Sequence, residues 1–551
     1  MKVRVSLLVS MSLLLISVPA IGQHHHGNDR TGMNQPAPAL KRVGEINHPV
    51  STKNQKAQQY FNQGIAMLYA FNHLESERSF AYAAQLDPKL AIAHWGVALA
   101  LGSNINDPIT KDREAQATVA IKKAIALRKG ASMAERDYID ALAKRYIGKG
   151  DRGAKDKAYA NAMGALAKKY PKDPDAMTLY ADSLMNLMPW DYYEKNGKPK
   201  PEARQAVAAL ETVMKRWPDH TGANHLYIHA VEASDTPERS EPSADKLGKL
   251  APAAGHLVHM PAHTYMRVGR YADASRVNED AILADEDYIT QCRAQGIYPV
   301  AYYPHNIHFL TFASMMEGRS KASVENAKRL QSKLPKDLKE LPPWANNFTA
   351  VPYFAMARFG QWEAILKEPM IDQPDLDGAR GVQHYARGMA FLRMGKLPEA
   401  QQERAALEQL ANNPRVAEIP FGQNNAGKVL EVAVHVLKGE MAAAQKDYGR
   451  AIPQLQTAVK LQDAMRYDEP ENWYYPVRQS LGAVLLEAGR AKEAEEVYRA
   501  DLKVNRHNGW SLFGLTASLK RQGRHEEAGE AAQRFAKAWA RADVALKSSR
   551  F

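Results

Sequence analysis

Cysteine is almost absent from this chain, which contains one cysteine among 551 residues. A single cysteine forms no internal disulfide and cannot build a multi-cysteine zinc site, so a disulfide scaffold and a Cys-based zinc fold are both excluded. Glycine and proline occur at ordinary frequency and 45% of the residues are hydrophobic, which is the composition of a folded protein. At this length several domains or a repeat array are expected rather than one compact core.

Several catalytic and binding motifs are also missing. The sequence has no Gly-rich phosphate loop, no His-Glu-x-x-His helix and no serine nucleophile elbow, so the common nucleotide, zincin and hydrolase motifs are excluded. The net charge is +12, but basic residues are mixed with acidic ones along the chain. Because a nucleic-acid groove needs a concentrated basic stripe, no nucleic-acid partner is expected.

The first 22 residues differ from the rest of the chain. Lys2 and Arg4 precede an apolar run over residues 5–18, and the small residues Ala20 and Gly22 follow it. This is the pattern of a secretory signal peptide, and the run is short for a membrane-spanning helix. We therefore expect export to the periplasm or the medium with no stable membrane anchor after cleavage. A signal retained as an anchor is the less favoured alternative.

A short phrase recurs along the chain with a period of 34 residues. Residues 489–494 (GRAKEA) and 523–528 (GRHEEA) are 34 positions apart, and similar phrases occupy residues 269–274 and 395–400. In each copy an amphipathic helix ends at the glycine, which suits a left-handed turn, and a second helix begins after it. No segment shows strand alternation, so the sequence predicts an all-α array of helix pairs.

Prolines often close these units, as at Pro218 and Pro252, which are also 34 residues apart. Together with the glycine phrases they resemble the tetratricopeptide repeat (TPR) family over most of residues 55–543. The resemblance implies a right-handed helical solenoid of about ten helix–turn–helix units. The whole chain is also similar to a group of exported bacterial TPR proteins with histidine-rich phrases, a likeness that leaves the reaction open.

The predicted organisation has four parts. Residues 1–22 form the signal peptide, residues 23–54 a flexible lead-in, residues 55–330 an N-terminal TPR array, and residues 331–551 a C-terminal array whose last segment, 531–551, is a capping helix. Insertions in a solenoid form loops, often on its binding face. The aromatic-rich segments 189–201 and 288–303 are therefore candidates to lie beside a binding site.

Histidines are concentrated in one part of the N-terminal array. Seven of the 18 histidines fall within residues 225–308, where even scatter would place about 2.7. Their separations of three and four residues put pairs of imidazoles on one helix face. In TPR proteins the corresponding repeat positions line the concave groove, so the resemblance implies that three consecutive units present these side chains to that groove. The candidate metal ligands are His225, His229, Glu232, His256, His259, His263, His305 and His308.

The favoured interpretation is a transition-metal site, because neutral imidazole with a carboxylate binds Zn, Cu or Fe well. A metal-free groove that binds a protein, a peptide or a small molecule is the first alternative. A metal-dependent hydrolase or oxidoreductase, with Glu232 as a candidate acid–base group, is the second. Cys292 is interpreted as an inert buried thiol, and the tract His24–His26 as a second, weaker candidate for metal binding.

Overall fold

The computed structural model describes residues 36–194, 197–292, 297–335, 337 and 341–551. The predicted signal peptide, residues 1–22, and the tract His24–His26 lie outside this part of the chain. Regular structure in the described part is almost entirely α-helical. The helices are α1 (Gln55–Tyr69), α2 (His73–Leu86), α3 (Ala91–Ala100), α4 (Lys111–Leu127), α5 (Met133–Tyr146), α6 (Arg152–Lys169), α7 (Pro174–Met185), α8 (Pro201–Arg216), α9 (Thr221–Val231), α10 (Glu241–Leu250), α11 (Gly255–His259), α12 (Pro261–Val268), α13 (Tyr271–Cys292), α14 (Tyr303–Met316), α15 (Ser320–Lys333), α16 (Val351–Arg358), α17 (Trp362–Lys367), α18 (Asp377–Arg393), α19 (Leu397–Ala411), α20 (Pro414–Ala417), α21 (Ala426–Ala444), α22 (Tyr448–Asp463), α23 (Val477–Glu487), α24 (Ala491–Val504), α25 (Gly509–Arg521) and α26 (His525–Ala538).

Strand structure is limited to two short elements. Strands β1 (Pro420–Phe421) and β2 (Asn424–Asn425) pair antiparallel and form the single sheet within the described ranges. Of the helices just named, none is both long enough and apolar enough to cross a membrane. The all-α prediction is confirmed.

Consecutive helices pack as pairs joined by short turns, which makes the two helices of a pair antiparallel. The short helices α11 and α12 together pack on α13 and act as one first helix. The pairs are α1–α2, α3–α4, α5–α6, α7–α8, α9–α10, α11/α12–α13, α14–α15, α16–α17, α18–α19, α21–α22, α23–α24 and α25–α26. The described residues therefore contain twelve helix pairs where about ten units were expected.

The turn glycines adopt the predicted left-handed conformation. Gly269, which ends α12, has φ +80°, and Gly489 and Gly523 have φ +77° and +74°. A residue with a Cβ atom is strained in this region of φ, which explains the recurrence of glycine between paired helices. Pro218 and Pro252 lie between helices, as predicted.

Both ends of the described chain differ from expectation. Residues 36–54 have no regular structure, yet Ala37, Val43 and His48 are buried, so this part of the predicted flexible lead-in packs against the array. The predicted capping helix over residues 531–551 is wrong beyond Ala538, where α26 ends. Buried Ser549 donates instead to the carbonyl oxygen of Gln479 (2.7 Å), because the final residues fold back onto the array. The division at residues 330 and 331 stays a prediction.

A candidate buried metal centre

Three consecutive first helices supply the seven clustered histidines. Helix α9 carries His225 and His229, with Glu232 at its C-terminal end; α11 and α12 carry His256, His259 and His263; and α14 carries His305 and His308. Pro261 begins α12, so the helix restarts between His259 and His263.

These histidines lie in the interior of the array rather than on an open groove. Six of them are at most 2% exposed, and His305 is half-buried. The groove is filled because other segments reach into it. Phe71, from the turn between α1 and α2, and Glu469 and Tyr474, from the segment between α22 and α23, contact the histidine side chains. The expectation of a surface groove is therefore corrected to a closed centre.

A first triad consists of His225, His229 and His256, whose ligand atoms all lie within 4.8 Å of one another. Nδ1 of His225 lies 2.6 Å from the carbonyl oxygen of Tyr69. A carbonyl only accepts, so this partner assigns the proton to Nδ1 and leaves a lone pair on Nε2. That Nε2 lies 3.1 Å from Nε2 of His256.

A second triad consists of His259, His263 and His305, again with ligand atoms within 4.8 Å. Nδ1 of His259 lies 2.6 Å from Oδ1 of Asn278. The amide of Asn278 is oriented by its Nδ2, which donates to the carbonyl oxygen of Ala274 (2.7 Å). The lone pair of His259 is therefore on Nε2, which lies 2.8 Å from Nε2 of His263. Outer partners of this kind fix the tautomer and ring orientation of metal-binding histidines.

Glu232 connects the two triads, and Glu469 contacts the second one. Oε1 of Glu232 lies 3.0 Å from Nδ1 of His229 in the first triad, and Oε2 lies 2.8 Å from Nδ1 of His263 in the second. Glu469 also contacts Nδ1 of His263. These approaches to His263 are not hydrogen bonds, since its Nδ1 and the facing Oε2 atoms of Glu232 and Glu469 have no hydrogen-bond partner among the described residues.

One phenylalanine covers each triad. The ring of Phe71 lies 4.5 Å from the His225 ring and 5.3 Å from the His256 ring, measured between centroids. Phe71 has φ +53°, an uncommon conformation for a bulky residue that is found where the surroundings enforce it. Phe309 covers the second triad, with its centroid 4.6 Å from both His259 and His263. The two rings therefore cover faces of these imidazoles.

Burial keeps the imidazoles neutral. It lowers the pKa of His229 and of His259 to about 3. Burial first, and neighbouring histidines second, hold the pKa of His225, His256 and His263 well below the ordinary value of 6.5. A neutral imidazole is the form that ligates a metal ion.

Burial acts on the carboxyl groups in the opposite sense. It raises the pKa of Glu232 and of Glu469 well above 4.5, and the nearby Glu232 raises that of Glu469 further. A dry pocket with two carboxyl groups and no charged imidazole is stabilised by a cation, which compensates for the desolvation of the carboxylates.

His308 is the predicted ligand that the structure does not join to either triad. It belongs to none of the candidate ligand groups formed by the described residues. Its ring lies 6.1 Å from that of His305 and 5.4 Å from that of Tyr474. Its side chain lies beside the rings of Phe348 and Tyr474 instead.

Other predicted features behave as expected. Cys292 is buried, and burial raises the pKa of its thiol to about 12, so the thiol is unreactive. From the first aromatic insertion, Trp190 lies edge-on to His229 at 5.7 Å. From the second, Tyr302 lies edge-on to His256 at 5.0 Å. Both insertions therefore lie beside the centre.

Comparisons with known proteins add little to this geometry. No family model matches the chain, and no curated protein matches it. Among solved structures, the human IFIT1 dimer with PPP-AAAA is 14% identical, with 88% of this chain and 92% of that chain covered and a TM-score of 0.31. Yeast Tom70 is 12% identical, with 88% and 91% covered and a TM-score of 0.28. The P58(IPK) TPR domain is 13% identical, with 86% and 99% covered and a TM-score of 0.23. The helix pairs, turn glycines and interhelical prolines of the chain itself are those of a tetratricopeptide-type helical repeat.

Proposed function

We propose that this protein is a transition-metal protein whose repeat array encloses a centre for two ions, one at each histidine triad. The observation that carries the proposal is the pair of Nε2 atoms of His259 and His263. The proton of His259 is on Nδ1, so its Nε2 lone pair faces Nε2 of His263 across 2.8 Å. Nε2 of His229 and the Oε2 atoms of Glu232 and Glu469 are also buried without hydrogen-bond partners among the described residues, and a bound cation would satisfy their electron pairs.

Ligand chemistry supports this assignment. Three imidazoles form a common donor set for Zn or Cu, and added carboxylates also suit Fe. Glu232 lies between the triads and is placed to bind an ion of either one, or to bridge both. The metal-free peptide groove is less well supported, because an extended peptide needs an open surface and the histidines here are buried.

Enzymatic use of the centre, as a hydrolase or an oxidoreductase, is the second candidate function. The observation that favours it is a cavity of about 40 Å³ that is lined by Glu469, which contacts His263 of the second triad. A metal centre that serves only structure has no need for a cavity at its ligands.

Metal content tests the main proposal. Protein reconstituted with Zn²⁺ or Cu²⁺ and then desalted should retain about two ions per chain, and His225→Ala and His305→Ala should each retain about one. The control is His384→Ala, since His384 pairs with Glu403 (2.6 Å) away from the centre. Circular dichroism checks that each variant is folded. Equal metal content in all four proteins, or none in the wild type, would contradict the proposal.

Export is proposed separately, from the charged, apolar and small-residue pattern of residues 1–22. N-terminal sequencing of the native protein should find a mature chain that begins near Gln23. A native protein that begins at Met1 would contradict cleavage.

A further inference from the structure

Residues 541–551, which we call the strap, lie as an extended segment along the array. Helix α26 ends at Ala538, and the strap contains no helix or strand. From residue 541 to residue 549, exposed side chains alternate with half-buried or buried ones. Burial at every second residue is typical of an extended chain that lies on a surface.

The first half of the strap binds the unit formed by α14 and α15. Oδ1 of Asp543 accepts from the backbone N–H of Ser320 (2.6 Å), and Oδ2 accepts from that of Lys321 (3.0 Å). Both N–H groups belong to the first turn of α15, which has no N-cap side chain of its own, so the strap caps this helix. Arg541 also pairs with Glu317 at the end of α14 (2.9 Å).

The second half of the strap binds the C-terminal array. Oγ of Ser549 donates to the carbonyl oxygen of Gln479, in the first turn of α23 (2.7 Å). The guanidinium of Arg550 pairs with Glu440 on α21 and with Glu487 on α23 (2.8 Å for the latter). Glu440 is fully buried, and a buried carboxylate depends on its cationic partners.

The strap thus joins two parts of the chain that meet at the buried centre. On one side, α14 carries His305 of the second triad. On the other side, α23 begins directly after residues 464–476, the segment that brings Glu469 and Tyr474 to the histidines. The boundary between these two parts, which we call the seam, is therefore crossed by the strap.

The closed seam does not admit a hydrated metal ion. Its cavity, between Phe309 on α14 and Glu469 on the facing segment, has a volume of about 40 Å³. A single water molecule needs about 10–15 Å³ of such volume, so the cavity holds a few waters and not an ion with its hydration shell. Because six of the clustered histidines are at most 2% exposed, an ion reaches them only after parts of the array move apart.

We propose that the strap is the gate of the metal centre: it holds the seam closed, and its release lets a metal ion enter or leave. A few side chains attach the strap, whereas the helix pairs are held by extensive packing, so the strap is released while the pairs stay folded. The inference rests on the proposed metal function for the identity of what passes the gate.

Metal exchange by an Arg550→Glu variant tests the gate. The substitution removes two ion pairs and places a carboxylate beside that of Glu440. Stopped-flow mixing of Zn²⁺-loaded protein with excess chromophoric chelator measures release, and mixing of metal-free protein with Zn²⁺ measures loading. Both rates should rise at least about tenfold, because lost hydrogen bonds between charged groups shift the opening equilibrium by that much or more. The number of bound ions should stay that of the wild type, whereas a distorted centre would load more slowly or bind fewer ions.

The matched control is Arg524→Glu, since Arg524 also pairs with two carboxylates, Glu495 and Glu527, but lies outside the strap. Its loading and release rates should equal those of the wild type. Rates in Arg550→Glu that equal those of Arg524→Glu would overturn the inference.

A second variant, Asp543→Ala, releases the other end of the strap. Asp543 is exposed, so its replacement leaves the core intact, and it decides the question if Arg550→Glu does not fold. Its control is Asp151→Ala, which removes the N-cap of the distant helix α6. Asp543→Ala should exchange metal faster than Asp151→Ala, and equal rates in the two would overturn the inference.

Hydrogen exchange of the metal-free proteins, followed by mass spectrometry, tests the strap without metal. In Arg550→Glu the amides of Ser320 and Lys321 and those of residues 464–476 should exchange faster than in the wild type, and in Arg524→Glu they should not. Faster amide exchange in a protein that binds no metal would keep the strap as the closure of the seam and refute the metal proposal. Bound metal with unchanged metal-exchange rates, despite faster amide exchange, would overturn the gate and leave the metal proposal in place.

Discussion

Replacing Asn278 by leucine tests whether an outer hydrogen bond prepares the second triad for metal. Asn278 and His259 are both fully buried, and the 2.6 Å bond between Oδ1 and Nδ1 sets which nitrogen of His259 carries the lone pair. Leucine has a similar volume but accepts no hydrogen bond. Loss of such a partner typically weakens metal affinity by about 10- to 100-fold, which corresponds to about 1.4–2.7 kcal/mol of binding free energy.

Competition with a chromophoric chelator for Zn²⁺ and Cu²⁺ measures this affinity. The control is Asn326→Leu, because Asn326 makes the same local bond, from Nδ2 to the carbonyl oxygen of Ala322 (2.8 Å), on helix α15, which carries no histidine. Asn278→Asp should restore the affinity, since a carboxylate is an equally placed acceptor. If Asn278→Leu bound metal as tightly as Asn326→Leu does, the proposed role of Asn278 would be wrong.

Three further predictions concern stability. Chelation should lower the Tm in calorimetry, because a ligand at a hundredfold excess over its Kd adds about 2.7 kcal/mol; an unchanged Tm would argue against bound metal. Gly269→Ala should lower the free energy of unfolding more than Gly489→Ala does. In both variants a left-handed alanine costs about 1–2 kcal/mol. Only at Gly269 would the new Cβ also clash, since it would lie 2.1 Å from the carbonyl oxygen of Arg506. Burial opposes the charged form of His48, but its bond to Asp175 outweighs this and raises the pKa above 6.5. His48 therefore contributes its whole share of the free energy of unfolding below pH 6.5, and this contribution is lost as the pH rises through the raised pKa. In urea unfolding, the difference between wild type and His48→Ala should be larger at pH 5.5 than at pH 8.5, and a constant difference would contradict this.

The helical array could be predicted from local sequence signals. A turn between paired helices needs one residue in the left-handed conformation, and glycine adopts it at Gly269, Gly489 and Gly523. The spacing of these glycines along the chain therefore gives the repeat period. The described residues hold twelve helix pairs rather than about ten, and several of these pairs carry no glycine phrase. The fold-back of residues 539–551 depends on distant contacts such as that of Ser549 with Gln479, which no local pattern encodes.

The centre was predictable only in part. Spacing along three helices placed the histidines on one face, and the structure brings six of them together in two triads. Glu469 was missed because it joins the centre from more than 200 positions along the chain. The carbonyl oxygen of Tyr69 and the ring of Phe71 carry no sequence signal for a metal site. Burial was also missed, since closure of the array depends on how its units stack.

Anomalous X-ray diffraction from crystals of the metal-loaded protein tests the central claim most directly. Data collected at the absorption edge of the bound metal should show two difference peaks, one against Nε2 of His225 and His256 and the other against Nε2 of His259 and His263. Peaks confined to the protein surface, or no peak at either triad in fully loaded protein, would contradict the account.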